Sequence, residues 1–180
     1  MRSSLIAGNW KMNGSLQSVI ELVEAEGFDA VMVPGISAED CLIADLGIDP
    51  GKFGCQQFEA SQFMFYKRRF DPSCYLVLWQ IGLAGDKSMA KFATGAAHRQ
   101  VLIELLAEQY PLDHEVILYE AAVLPIDTVR KQTLTLSELA DAEIFMHTTL
   151  VIPPSQKMQP NHEVLERLKQ IERQLEQEAV

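Results

Sequence analysis

Apolar residues along this chain switch between two spacings, and the switches mark out its elements. "SLIAGNW" is a short apolar run with the look of a strand. After Gly14, the Ser15 hydroxyl is placed to accept from the free amides of a helix whose Leu16, Val19, Ile20 and Val23 fall on one face. "GFDAVMVPG" repeats the strand signal from Ala30 to Val33, and Pro34, which has no amide proton to give a ladder, ends it together with Gly35. A second helix follows at once. Ser37 and Asp40 have the S-x-x-D spacing of a capping box, Cys41, Leu42, Ala44 and Leu46 supply an apolar face, and Gly47 stops the helix. The first third therefore reads β-α-β-α, the alternation expected of a parallel sheet.

Beyond Asp49-Pro50-Gly51, a turn signal, strands predominate. "YLVLWQIG" is apolar almost without interruption from Tyr75 to Gln80, as a strand covered on both faces should be, and "EVILYEAA" and "TTLVIPP" repeat the pattern. Between the first two, a helix is expected over Ala97 to Gln109 with Val101, Leu102, Leu105 and Leu106 inward. "KQTLTLSEL" alternates Leu134 and Leu136 with Thr, which predicts a strand with one wet face and then a helical turn begun by Ser137. From His162 the texture changes again. Val164, Leu168, Ile171 and Leu175 recur at spacings of four, three and four among Glu, Arg, Gln and Lys, a helix with a narrow apolar seam. It can pack on its own domain or on a partner chain. Under three heptads make a weak coiled coil, which favours the first.

Composition narrows the picture. A chain of 180 residues with 48% hydrophobic content can bury one core, or one core with a small appended lobe. Fifteen Lys and Arg against 25 Asp and Glu leave a net charge of -10, which argues against nucleic acid or an anionic membrane surface as partner. The local exception is Lys67-Arg68-Arg69, which follows Phe63, Phe65 and Tyr66 and reads as a solvated edge. No run of 18 apolar residues exists and the first residues lack a secretion signal's apolar core, so a cytoplasmic protein is expected. Cys41, Cys55 and Cys74 have neither disulfide-framework nor zinc spacing; reduced thiols, mostly buried, are expected, and no metal.

Motif chemistry is sparse. There is no GxGxxG, phosphate loop, HExxH or GxSxG. His98, His114, His147 and His162 lie near a helix start, in a turn, before a strand and in the tail, and each reads as a surface or polar-packing residue. The turn Pro34-Gly35-Ile36-Ser37 feeds a strand end into a helix N-terminus, the place where α/β sheets bind ligands, but such turns are common.

Longer phrases say more. "AEGFDAVMVPGISAEDCLIADLGIDP", "CQQFEASQFMF", "YLVLWQIG", "YPLDHEVILYEAAVLP" and "TTLVIPP" together resemble the carboxy-terminal part of tetrapyrrole-methylase-like, S-adenosylmethionine-dependent methyltransferases, from about Ala25 to about Pro154. The resemblance is strongest to the borosin type, which methylates backbone amide nitrogens of a ribosomally made peptide. It implies S-adenosylmethionine as cofactor, a peptide as substrate, and cofactor contacts at Gln80, Ala121, Thr148 and Thr149. Gln and Thr suit an adenine edge, and a small Ala leaves room for a flat ring. Catalytic residues are unknown on this reading, because the family carries its amide-activating Arg and Tyr in an amino-terminal lobe that the sequence is expected to lack.

The first two dozen residues resemble something else. "SLIAGNWKMNGSLQSVIELVEA" is similar to the first strand, loop and helix of triosephosphate isomerases, with Asn9 and Lys11 where that family binds substrate. Nothing downstream supplies the isomerase's His and Glu, so Asn9 and Lys11 could at most hold an anion. The expected organisation is thus an isomerase-like βα unit over 1–26, a methylase-like α/β domain with a mixed sheet and helices over 27–160, and an amphipathic helix over 161–180. Two functions are open: a methyltransferase of this lineage, or a non-catalytic α/β scaffold or recombinant chimera without an assembled active site. A homodimer is expected, closed over apolar surface at Ile36 to Leu46 and Tyr75 to Trp79 and over the tail helix.

Overall fold

The computed structural model describes residues 24, 25 and 27, 36–88, 93–122 and 126–178. The chain divides into two compact units, Met1–Ser37 and Ala38–Val180. Of the first unit, Glu24 and Ala25 are helical and the Gly27 amide donates to the Glu24 carbonyl at 2.9 Å. The expected strands at "SLIAGNW" and Ala30 to Val33, the helix start at Ser15, and Asn9 and Lys11 lie outside the described residues.

The second unit is built on five strands: β1 (Cys55–Glu59), β2 (Tyr75–Trp79), β3 (Glu115–Glu120), β4 (Arg130–Thr135) and β5 (Thr149–Ile152). Their order is β1-β2-β5-β3-β4. β1 and β2 run parallel, with Cys55 opposite Tyr75 and Glu59 opposite Trp79. The other pairs are antiparallel, setting Leu78 opposite Leu150, Tyr119 opposite Thr149 and Glu120 opposite Arg130. This mixed topology brings the last residues of β1, β2 and β3 and the first residues of β4 and β5 to one edge of the sheet.

Alternation along each strand divides the core between two faces. On one face Leu76, Leu78, Val116, Leu118, Leu150 and Ile152 are covered by Ala60 and Phe63 of α3 (Ala60–Phe65), by Leu102, Ile103 and Leu106 of α4 (Ala96–Leu106), and by two 3₁₀ turns, Ile81–Leu83 and Leu136–Ala140. On the other, Val77, Tyr119 and Val151 pack against Leu42 of α1 (Ala38–Leu46). Against the expectation of exposed apolar surface, Leu76, Val77 and Leu78 of β2 are buried, as is Leu42, whereas Ile36 is 88% exposed.

Local chemistry explains the boundaries. Gly47 ends α1 at φ +64°, and the next amide, Ile48, reaches back to the Ile43 carbonyl at 3.3 Å, the long-range bond that satisfies a helix's last carbonyls. The expected turn at Asp49-Pro50-Gly51 is a one-turn helix, α2 (Pro50–Phe53), because the Asp49 carboxylate accepts from the Gly51 and Lys52 amides at 3.0 and 3.2 Å and Pro50 occupies the first helical position. β1 and α3 had no sequence signal of their own. "CQQFE" is the edge strand among the described residues, half-buried throughout, and its Glu59 carboxylate caps α3 through the Ser61 and Gln62 amides.

Three details differ from expectation. α4 is turned so that Arg99, Leu102, Ile103 and Leu106 face inward and Val101 outward, because the Arg99 guanidinium donates to the Ala140 carbonyl at 3.0 and 2.7 Å and to the Thr94 carbonyl at 3.2 Å. The turn after β4 is capped by Thr135 and not Ser137, in a reciprocal box with Glu138 whose hydrogen bonds hold that carboxylate below its usual range. All three cysteines are free thiols but half-buried, since each lies at the margin of the core. The tail helix, α5 (His162–Glu178), is exposed along its described side chains and packs on neither face of the sheet.

Candidate functional site at one end of the sheet

The four residues singled out by resemblance meet at the strand-end edge. β2 stops at Trp79 because Gln80 adopts φ +59° and ψ 45°, the left-handed conformation, and it alone does so among the described residues other than glycine. The chain then turns so that the Ile81 amide donates to the Thr148 carbonyl at 3.0 Å. Gly82 is required one residue later: a Cβ there would stand 2.3 Å from the Phe145 carbonyl oxygen. The "WQIG" phrase is thus a hook that holds the loop before β5 against the end of β2.

Thr148 is the inner strut of that loop. It is fully buried, its hydroxyl donates to Glu120 Oε1 at 2.5 Å and accepts from the Phe145 amide at 2.8 Å, and its own amide donates to the Phe145 carbonyl at 3.1 Å. Thr149 begins β5 opposite Tyr119, also buried. Ala121 follows β3, half-buried against the cluster of Leu42, Val77, Tyr119 and Val151, and Trp79 is half-buried against the same cluster. The indole of Trp79 donates to Gln57 Oε1 at 3.0 Å, and the Gln57 amide donates to Glu39 of α1.

Beside these residues lies a charged cluster that sequence reasoning did not single out. Glu120 accepts from Arg130 Nη1 at 2.8 Å as well as from Thr148, and its second oxygen faces His147 Nε2 at 3.3 Å. Arg130 also donates to Gln132 Oε1 and the Glu143 carbonyl, at 2.6 and 2.7 Å, and its guanidinium covers the Phe145 ring at 5.6 Å. Phe145 in turn stacks on His147. One carboxylate therefore ties β3, β4 and the loop before β5 together. The available signal was a Glu at the end of the otherwise apolar "EVILY", where a covered strand does not place a charge without a partner.

Toward α1, the Tyr119 hydroxyl donates to Asp45 Oδ2 at 2.7 Å, and Lys131 Nζ donates to the Asp45 carbonyl. Burial, with help from the Asp45 hydrogen bond, pushes the Tyr119 phenol well above its ordinary value, so it stays protonated and a donor. Of the remaining histidines, His114 Nε2 is 2.9 Å from the Pro153 carbonyl, His98 sits in α4 and His162 begins α5. Lys67, Arg68 and Arg69 are exposed as expected, with Arg68 lying over Phe58 and Tyr66. A cavity of about 550 Å³ is lined by a different set, including Met64, Phe65, Asp86 and His98.

The strand-end edge thus combines a small residue, two buried threonines and a left-handed glutamine with a carboxylate already neutralised by Arg130. Among these residues the arrangement presents no activated nucleophile. Among the described residues, no helix is long and apolar enough to cross a membrane.

Residues 12–140 match the family described as Tetrapyrrole (Corrin/Porphyrin) Methylases; the match begins within the first 26 residues and runs through β1 to β4. A protein of Gymnopus fusipes, both methyltransferase and precursor of the ribosomally synthesised cyclic gymnopeptides, is 40% identical over 158 residues, which cover 84% of this chain and 37% of that one. A methyltransferase and type I borosin cyclic peptide precursor of Mycena rosella is 37% identical over 139 residues, covering 75% of this chain and 34% of that one. The chain therefore spans little more than a third of the length of these relatives. Among solved structures, the crystal structure of the methyltransferase CobJ superposes with a TM-score of 0.52 at 16% identity, covering 86% of this chain and 64% of that one, a likeness of fold. The mixed five-stranded sheet, the order of the phrases along it and the family match over most of the chain agree: this chain belongs to the tetrapyrrole methylase family of S-adenosylmethionine-dependent methyltransferases.

Proposed function

We propose that this chain binds S-adenosylmethionine at the strand-end edge formed by Gln80, Ala121, Thr148 and Thr149 and serves methylation of backbone amide nitrogens in a peptide. The observation that carries the reading is the convergence of those four positions, separated by up to 69 residues in sequence, at one end of the sheet. Borosin relatives at 40% and 37% identity support the peptide as acceptor.

The residues present suit the cofactor. Ala121 has no side chain beyond Cβ and is half-buried at the end of β3, so a flat ring can lie against it without displacing the core. Gln80 offers both donor and acceptor groups at the end of β2. Thr148 is committed internally to Glu120 and Phe145, so its part is to fix the loop at the position Thr149 and Ile81 require. Glu120, with its charge compensated by Arg130, holds the same loop without presenting a free anion to the ligand.

When bound, the cofactor supplies a sulfonium methyl group for in-line displacement by the acceptor nitrogen, with S-adenosylhomocysteine as leaving group. An amide nitrogen is a weak nucleophile, so the acceptor has to be polarised or deprotonated during attack. Gln80, Ala121 and Thr149 bind and orient the cofactor and Thr148 fixes the loop beside them; none is assigned that proton transfer.

Ultraviolet crosslinking of S-adenosylmethionine to the chain, followed by peptide mapping, tests the site. Label on the peptides carrying Gln80, Ala121 or Thr149 is the expected result. Label confined to the cavity near Met64 and His98, or none at saturating ligand, would contradict it.

A further inference from the structure

The cavity of about 550 Å³ lies where three pieces of chain meet: Met64 and Phe65 at the end of α3, Gly85 and Lys87 in the turn that follows β2, and His98 and Val101 at the start of α4. Its apolar wall is open to water, with Phe65 38% and Val101 48% exposed. Gly85, at φ +80°, leaves its floor bare: a Cβ there would stand 3.1 Å from the His98 ring and 3.3 Å from the Met64 methyl. The His98 imidazole is half-buried in this wall, and its ring nitrogens have no hydrogen bond among the described residues.

A basic rim borders the cavity. Tyr66 leaves α3 in an extended conformation, and Lys67, Arg68 and Arg69 follow it, all exposed. Lys67 stands two residues beyond Phe65, a reach of about 7 Å at most, and Lys87 adds a fourth cation from the lining itself. None of the four forms an ion pair among the described residues. Arg68 is held over the Phe58 and Tyr66 rings at 5.4 and 5.5 Å, which fixes its charge at the surface. The carboxylate in the lining, Asp86, is 5% exposed, with one oxygen accepting from the Ser88 amide and hydroxyl at 2.9 and 2.7 Å.

The combination selects its ligand. A net charge of -10 repels an acidic partner at long range, but charges more than about 8 Å apart are largely screened at physiological ionic strength, so the local cluster decides. A free inorganic anion would leave the apolar cavity empty, and a nucleic acid would extend beyond the rim onto acidic surface. We propose that the cavity and its rim bind an acidic peptide segment. One large apolar side chain of the segment enters between Phe65 and Val101, neighbouring carboxylates meet Lys67, Arg69 and Lys87, and His98 offers a ring nitrogen to the segment's backbone. The inference is independent of the methyl-transfer reading, since none of these residues belongs to the strand-end site.

Fluorescence anisotropy on the full chain at physiological ionic strength tests it, with a labelled short peptide of Asp and Glu carrying one central Phe as the probe. Saturable binding is expected, weakened about tenfold when the Phe is replaced by Ser, because the ring then no longer leaves water. Lys67→Glu combined with Arg69→Glu should weaken it about tenfold or more. An equal charge change on the tail helix, Lys169→Glu with Arg173→Glu, should weaken it by less than about twofold. Val101→Trp, which fills the cavity from an exposed position, should bring the Phe and Ser peptides to the same affinity. Melting temperature should be unchanged in all three variants, as each altered side chain is exposed. Absence of saturable binding, indifference to both the Phe and Val101→Trp, equal losses at the two pairs of cations, or displacement of the peptide by inorganic phosphate at comparable concentration would overturn the proposal.

Discussion

The two faces of the sheet are closed to different degrees, and each buries a tyrosine that records the difference. On the α3 and α4 side, the inward residues of β2, β3 and β5 are at most 1% exposed and two helices and two 3₁₀ turns lie over them. There Tyr110 is buried and its hydroxyl has no hydrogen-bond partner among the described residues. On the α1 side the fully buried cluster among the described residues is four residues, and Trp79, Ala121, Ile117 and Val129 around it are only half-buried. There Tyr119 is buried but hydrogen-bonded to Asp45. One face is packed for stability. Among the described residues the other thins toward the strand ends, where the proposed cofactor site lies.

Substitution should separate the faces, the largest effect first. Leu118→Ala on the closed face should cost about 3 kcal/mol in urea unfolding, because it removes buried methyl groups from a site that cannot collapse. A cost below about 1 kcal/mol would mean that this face is not close-packed. Glu120→Ala should cost about 2 kcal/mol, since it strands the partly buried Arg130 and frees the loop before β5; the 21% exposure of Arg130 keeps the figure below that of a fully buried pair. Restoration by Glu120→Gln to within about 1 kcal/mol would separate the hydrogen bonds from the charge.

The two tyrosines give smaller and opposite effects. Tyr119→Phe should cost about 1 kcal/mol through the lost bond to Asp45. Tyr110→Phe should be neutral or stabilising by up to about 1 kcal/mol, because it deletes a buried hydroxyl that has no partner among the described residues. Burial pushes the Tyr110 phenol from 10.0 up to about 12. Its folded-state value is the higher one, so its contribution to stability is fully present below pH 10 and is lost as pH rises toward about 12. Melting temperature should therefore fall across that window, less steeply in Tyr110→Phe than in the wild type; an unchanged slope would contradict the burial of that hydroxyl.

The same contrast explains what the sequence made legible. The strands of the closed core were readable from continuous apolar runs, because a strand covered on both faces has no polar alternation to confuse it. β1 was not, since "CQQFE" is, among the described residues, an edge strand whose glutamines face neighbours such as Trp79 and Asp71, contacts that no periodicity encodes. α4 was placed to within a few residues, but its rotation was decided by Arg99, a charged residue whose inward partner is a carbonyl 41 residues away. At the site, the resemblance named four residues that the fold gathers at one edge. Glu120, Arg130 and His147 are close there only because β4 and the loop before β5 return beside β3. Their proximity is a product of register, not of sequence spacing.

Titration calorimetry with S-adenosylhomocysteine tests the central claim most directly, comparing the wild type with Ala121→Leu and with Asn9→Ala. Ala121 is the sharper probe, because a bulky residue at fully buried Thr148 would disturb the fold itself, whereas Ala121 is half-buried at the end of the thinner face. The account predicts saturable heat in the wild type and in Asn9→Ala, and its loss in Ala121→Leu at an unchanged melting temperature. No heat from the wild type, or undiminished binding in Ala121→Leu, would contradict it.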